Sequence, residues 1–105
     1  MKKFSIRQLR RDKAKIAQEI IAAKGVVQIE QVGYLVGKDR LPDLHANEPA
    51  LSLYALYTQA DEAHPERVVV PARMSAGVPI PIRFGTSPAV AAWIVPLSYA
   101  GRLGL

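Results

Sequence analysis

The sequence has no cysteine, which excludes disulfide staples, thiolate metal sites and a cysteine nucleophile. Histidine is nearly as scarce: His45 and His64 are the only two, so a zinc site would have to recruit carboxylates from distant positions, and no metal or other cofactor is expected. Long apolar runs are missing as well. The longest late one, Pro88 to Leu97, is broken by Pro96 and falls far short of the roughly 20 residues that cross a bilayer. Met1-Lys2-Lys3 opens as a secretory signal would, yet Arg7, Arg10, Arg11, Asp12 and Lys13 stand where its apolar stretch belongs. A cytoplasmic chain that does not associate with membranes is the expectation. Catalytic equipment is also thin. Ser75, Ser87 and Ser98 lack a glycine-flanked nucleophile elbow, no phosphate-binding glycine loop is present, and the acidic residues show no pairing suited to acid-base work. No catalytic residue is therefore assigned, and a binding protein rather than an enzyme is expected.

Half of the 105 residues are hydrophobic, enough for one core and too few residues for two. A single domain over 1–105 is expected, with a first unit at 1–40, a second helix within 41–65 and an extended, β-rich region at 66–105. The strongest local signal is a helix start. Ser5 reads as an N-cap, Gln8 completes a capping box, and Phe4 and Leu9 stand where a hydrophobic staple forms. Leu9, Ile16, Ala17, Ile20 and Ile21 gather on one side of the helix, and Lys24-Gly25 ends it, so one continuous helix over about residues 6–24 is predicted.

Val26 to Gln31, a turn at Val32-Gly33 and Tyr34 to Gly37 read as a β-hairpin. Asn47 ahead of Glu48-Pro49 reads as the cap of the second helix, whose apolar face is Leu53, Tyr54, Leu56 and Tyr57 and which stops near His64-Pro65. Beyond Glu66 the pieces are short and extended: Val68 to Val70, Val78 to Phe84 and Ala89 to Leu97, with a turn at Ser75-Ala76-Gly77. Pro79 and Pro81 lack donors on the same side, which confines their piece to an edge strand or a polyproline-like stretch. Trp93 and the Tyr54/Tyr57 pair read as packing residues, and Tyr99 to Leu105 as a loosely held tail.

Net charge is +5, and its distribution is uneven. Residues 2–15 hold Lys2, Lys3, Arg7, Arg10, Arg11, Lys13 and Lys15 against Asp12 alone, so the remainder of the chain is almost neutral. Arg7, Arg10 and Arg11 are three and four apart and project from neighbouring points of the first helical turns. Cations there oppose the helix dipole, by roughly 0.3–1 kcal/mol each at exposed sites. An anionic partner reverses that sign, because phosphate oxygens suit the guanidinium fork. A solvated face paired with acids such as Asp39, Asp43 or Glu66 is the plainer alternative. The candidate DNA-binding residues are Arg7, Arg10, Arg11, Lys3 and Lys13.

From Lys3 to about Arg40 the chain resembles the N-terminal module of the Phd/YefM antitoxins. The resemblance is carried by Phe4-Ser5-Ile6, Leu9-Arg10-Arg11-Asp12, Gly25, and Val26 to Gly33 followed by Tyr34-Leu35-Val36. It covers a little over a third of the chain. It implies a module that dimerises and whose arginine-bearing helix starts contact operator DNA, with Arg10 the closest match to the family's helix arginine, and a later segment that neutralises a toxin. Three positions depart from the pattern: Gln31 replaces a basic residue, Lys13 replaces an apolar one, and no proline precedes Leu35. The C-terminal third is proline-rich and basic at Arg73, Arg83 and Arg102, unlike an acidic helical tail.

The expected fold is α+β: a strand-helix-β-hairpin module, a second helix and a small C-terminal antiparallel β region. The expected function is that of a small homodimeric transcriptional repressor of antitoxin type that binds operator DNA and neutralises a partner toxin. The rival expectation is a phage or mobile-element inhibitor, anti-CRISPR-like or anti-restriction-like, that docks a larger protein or nucleoprotein complex.

Overall fold

The computed structural model of the chain describes residues 2–23, 26–41, 43–53 and 72–105. Several expectations lie outside them: the helix stop at Gly25, the Tyr54/Leu56/Tyr57 face with its end at His64-Pro65, and the strand at Val68 to Val70. The described elements are β1 (Lys2–Phe4), α1 (Ile6–Arg11), α2 (Lys13–Ala23), β2 (Val26–Ile29), β3 (Gly33–Gly37), β4 (Leu51–Ser52), α3 (Ala72–Ser75), β5 (Ile80–Arg83), β6 (Ala92–Pro96) and α4 (Leu97–Ala100). Single 3-10 turns follow β3 at Lys38–Arg40 and α4 at Gly101–Leu103. The protein is thus mixed α+β, with a six-stranded mixed sheet in the order β1-β2-β3-β6-β5-β4.

The predicted hairpin forms, with Val26 opposite Val36 and Ile29 opposite Gly33. Its turn is Glu30–Gln31–Val32, with Gln31 in the left-handed region at φ 65°. Gly33, expected in the turn, is instead the first residue of β3. Its role is close approach: a Cβ there would lie 2.0 Å from the Val95 carbonyl oxygen of β6.

The C-terminal β5 and β6 are antiparallel, as expected, and β6 also pairs β3 antiparallel over five residue pairs from Gly33↔Pro96 to Gly37↔Ala92, a pairing the sequence had not indicated. The C-terminal strands thereby join the hairpin in one sheet. The outer strand of the hairpin would otherwise present unpaired backbone groups, and β6 satisfies them.

Alternation along the strands sorts the core into two layers. Val27, Ile29, Leu35, Ile80, Ile82, Ala92 and Ile94 point to one face, where Leu9 of α1, Ile16 of α2, Leu53 and Met74 cover them. Leu9 and Ile16 are fully buried, and each such side chain is worth about 1.5–3 kcal/mol relative to exposure. Val36, Trp93 and Val95 point to the other face. There Leu41, Leu44, Tyr99, Leu103 and Leu105 cover them, so the tail is not loose as expected. Ala100 is buried, the Leu105 N–H donates to the Ala100 carbonyl at 3.0 Å, and Arg102 lies over the Tyr99 ring at 5.3 Å. The apolar second face of β6 requires that cover.

Two further expectations are corrected. The long N-terminal helix is two segments, because Asp12 (φ −117°, ψ 33°) leaves helical geometry between them. Asp12 closes α1 by donating its N–H to the Gln8 carbonyl at 2.7 Å, and its own carbonyl accepts from Ile16 at 3.0 Å. Aspartate is a poor interior helix residue but a good one just ahead of a helix, which fits this junction. Asn47 does not cap a helix either. Residues 43–50 are irregular and lead into β4, held out by Arg73, whose Nη1 donates to the Pro49 carbonyl at 3.2 Å and whose Nη2 lies 3.5 Å from Glu48 Oε2.

β5 was expected at an edge or in a polyproline-like stretch, and it lies inside the sheet. The restriction on its prolines nevertheless holds locally. The Ile82 carbonyl accepts from the Ala91 N–H at 2.9 Å, so the polar groups of Ile82 face β6 and those of Pro81 and Pro79 face the β4 side. Among the described residues β4 pairs only with Ile82 and Arg83, beyond both prolines. Without donors at 79 and 81, a longer parallel ladder could not be satisfied. Among the described residues no helix is long and apolar enough to cross a membrane.

Candidate functional site

The start of α1 is built as its sequence specifies. Ser5 Oγ accepts from the Gln8 backbone N–H at 3.1 Å, and Gln8 Oε1 accepts from the Ser5 N–H at 2.9 Å. Phe4 packs against the cluster that contains Leu9. With Leu9 buried against the sheet, Arg7 and Arg11 stand two residues to either side of it, about 200° round the helix, and both are exposed. No acidic residue lies in the first turn of α1. Lys15 continues the exposed basic strip on α2.

Not every candidate joins that strip. Lys3 is exposed, but it pairs with Gln28, whereas its neighbour Phe4 faces the helices, so Lys3 lies on the opposite face of the sheet. Arg11 is engaged with Asp12, Nε to Oδ2 at 3.4 Å, in a solvent-exposed pair that contributes little to stability and can exchange partners readily. Arg10 lies on α1 and Lys13 begins α2; their side chains fall outside those described. The surface is therefore an arginine pair with Lys15 alongside, and Lys3 is a separate charge on the first edge strand.

A second region was not singled out by the sequence. Where the chain ahead of β4 diverges from Pro79 and Pro81, a cleft of about 280 Å³ opens. Its lining includes His45, Asn47, Glu48, Arg73, Val78 and Trp93. Trp93, expected as a packing residue, is indeed 4% exposed, yet its indole Nε1 is buried without a hydrogen-bond partner among the described residues. Leaving such a donor unpaired costs about 1–3 kcal/mol. Nothing local to Ala91-Ala92-Trp93-Ile94 signals this. Among the described residues no group of three or more His, Asp or Glu is placed to hold a metal ion.

Comparison with protein-family models, with curated proteins and with solved structures gives no match. The reading of function rests on the chain's own chemistry.

Proposed function

We propose that the chain is a small DNA-binding repressor of the antitoxin type, a homodimer in the cytoplasm whose residues 1–40 act as a strand-helix-β-hairpin module on operator DNA. The observation that supports it is the outward-facing pair Arg7 and Arg11 on a helix with no acid in its first turn. Guanidinium groups so exposed gain most from phosphate, which accepts from the planar fork and neutralises their mutual repulsion. Arg10 and Lys13 belong to adjoining turns of the same reading, and Lys3 reaches phosphate only from the other side of the first edge. Neutralisation of a partner toxin is the further step of this proposal.

The test is a binding titration on the DNA immediately upstream of the protein's own coding sequence. Affinity should fall steeply as salt rises, and Arg10→Ala should weaken it. Absence of binding at low salt sinks the reading.

One observation favours the rival, an inhibitor of phage or mobile-element origin that docks a larger protein. The C-terminal third is incorporated into the same sheet and core as the N-terminal unit, and a folded region of that kind offers a rigid docking surface more naturally than a wrapping segment. A stoichiometric protein partner recovered from the native host, with no DNA binding, would favour this alternative.

A further inference from the structure

Arginine–phosphate contacts fix a protein's position on a duplex without reporting its sequence, and a repressor that recognises an operator must also read base edges. Arg7 and Arg11 supply contacts of the first kind. The helices that carry them also offer the second. Leu9 and Ile16 are fully buried and stand on one side of the helices, so the inward ridge continues from α1 into α2 across Asp12. Arg7, Arg11, Ala14 and Gln18 each stand two residues from one of those inward positions, about 200° round the helix, and all four are exposed. They form one outward ridge, about 16 Å long at the usual helical rise.

The ridge changes character along its length. Its first half is cationic, and Ala14 is too short to hold the helix away from a surface. Gln18 follows about 10 Å beyond Arg11 along the axis, with an uncharged amide that presents an acceptor and a donor side by side. The acids of these helices stay off the ridge: Asp12 and Glu19 each lie three residues beyond an inward position and are half-buried. Gln8, the other glutamine of these helices, has its amide oxygen committed to the Ser5 N–H. A helix about 10–12 Å across fits the major groove of B-DNA, roughly 12 Å wide, where adenine offers an amino donor at N6 and an acceptor at N7 to such an amide.

We infer that Gln18 determines sequence preference, its amide pairing with the N6 and N7 edge of an adenine in the major groove while Arg7 and Arg11 hold adjoining phosphates. This rests on the DNA-binding reading above. Duplexes with a randomised stretch are selected on the full chain, and the selected site is compared with its single-base variants in direct titrations.

The selected site should contain an adenine whose replacement weakens binding by about tenfold. Gln18→Ala should remove that preference and leave the affinity for unrelated duplex, with its salt dependence, as in the parent chain. Gln18→Arg should move the preference at that position to guanine, a gain that a merely structural role could not produce. Both substitutions place good helix formers at an exposed helical position, so the urea midpoint should stay where it is. Duplex binding without any selected sequence overturns the assignment and leaves the phosphate contacts standing. An adenine preference that survives Gln18→Ala or Gln18→Arg, or an equal loss on every sequence, overturns it as well. Absence of binding to any duplex at low salt sinks the DNA reading itself, and the assignment with it.

Discussion

Both edges of the sheet are short parallel strands, three paired residues at β1 and two at β4, yet they end in opposite ways. At the first edge the chain passes from β1 through a reciprocally capped serine into a helix, and the Glu30 N–H adds a bond to the Phe4 carbonyl at 2.9 Å beyond the strand itself. Cap, staple and strand pairing agree there, and the edge is covered on its apolar side while arginines, set against the helix dipole, face out. At the other edge, prolines remove the donors a longer β4 would need, and the chain ahead of β4 leaves a cleft beside them. Consistent local signals produce a well-satisfied strand-to-helix turn with surplus charge; conflicting ones produce a concavity.

The comparison depends on the two edges sharing one core, and the β3–β6 seam is where that can be broken. Gly33→Ala places a methyl group 2.0 Å from the Val95 carbonyl oxygen, which is backbone and cannot swing aside. A loss of about 3 kcal/mol or more in urea unfolding is expected, the range of severe overpacking. Hydrogen exchange in this variant reads the consequence: amides of β2 and β6 should lose protection together. Protection retained in β1, α1 and β2 alone would mean that the first forty residues stand as a unit of their own.

Ile94→Ala comes next in size. Ile94 is fully buried on the helix-covered face and lies opposite both Leu35 and Ile80, so a cavity there touches strands from both halves. Destabilisation of about 2–5 kcal/mol is expected, with a single cooperative transition in denaturant. Two separated transitions would show that the edges unfold independently. Ser5→Ala is smaller and confined to the first edge: loss of the cap should cost about 1 kcal/mol, measured as a lower urea midpoint at unchanged slope. If that substitution disturbed the Trp93 indole resonance as well, the separation drawn between the edges would be wrong.

What was legible in the sequence follows the same division. The Ser5–Gln8 box and the existence of the hairpin depend on neighbours within a few positions, and both are present in the structure, the hairpin with its turn at Glu30–Val32 and not at Val32-Gly33. The break at Asp12 was hidden because the apolar spacing from Leu9 to Ile16 continues across it. Asn47-Glu48-Pro49 misled because the residues that cap helices also favour bends, and contacts from Arg73, some 24 residues further on, decided between them. The grouping of Lys3 with the arginines could have been corrected from alternation alone, since Phe4 as a staple residue forces its neighbour to the other face. The cleft had no sequence signal, because its lining comes from residues 45–48, 73–81 and Trp93, far apart in the chain.

The smallest effect on stability belongs to the residues on which the proposed function most depends. Arg7→Ala with Arg11→Ala removes two exposed side chains from α1, and with them a repulsion between neighbouring cations and one weak ion pair to Asp12. Those terms oppose each other, so unfolding free energy should move by no more than about 0.5 kcal/mol in either direction. Binding to duplex DNA should respond quite differently. If each arginine neutralises one phosphate, the dependence of log affinity on log salt should become shallower by about 1.8 in slope, with the loss similar across unrelated sequences. A stable double variant whose salt slope is unchanged would mean that DNA, if bound at all, lies elsewhere on the molecule. The first edge would then be a solvated charged face, and the contrast between the two edges would reduce to one of packing.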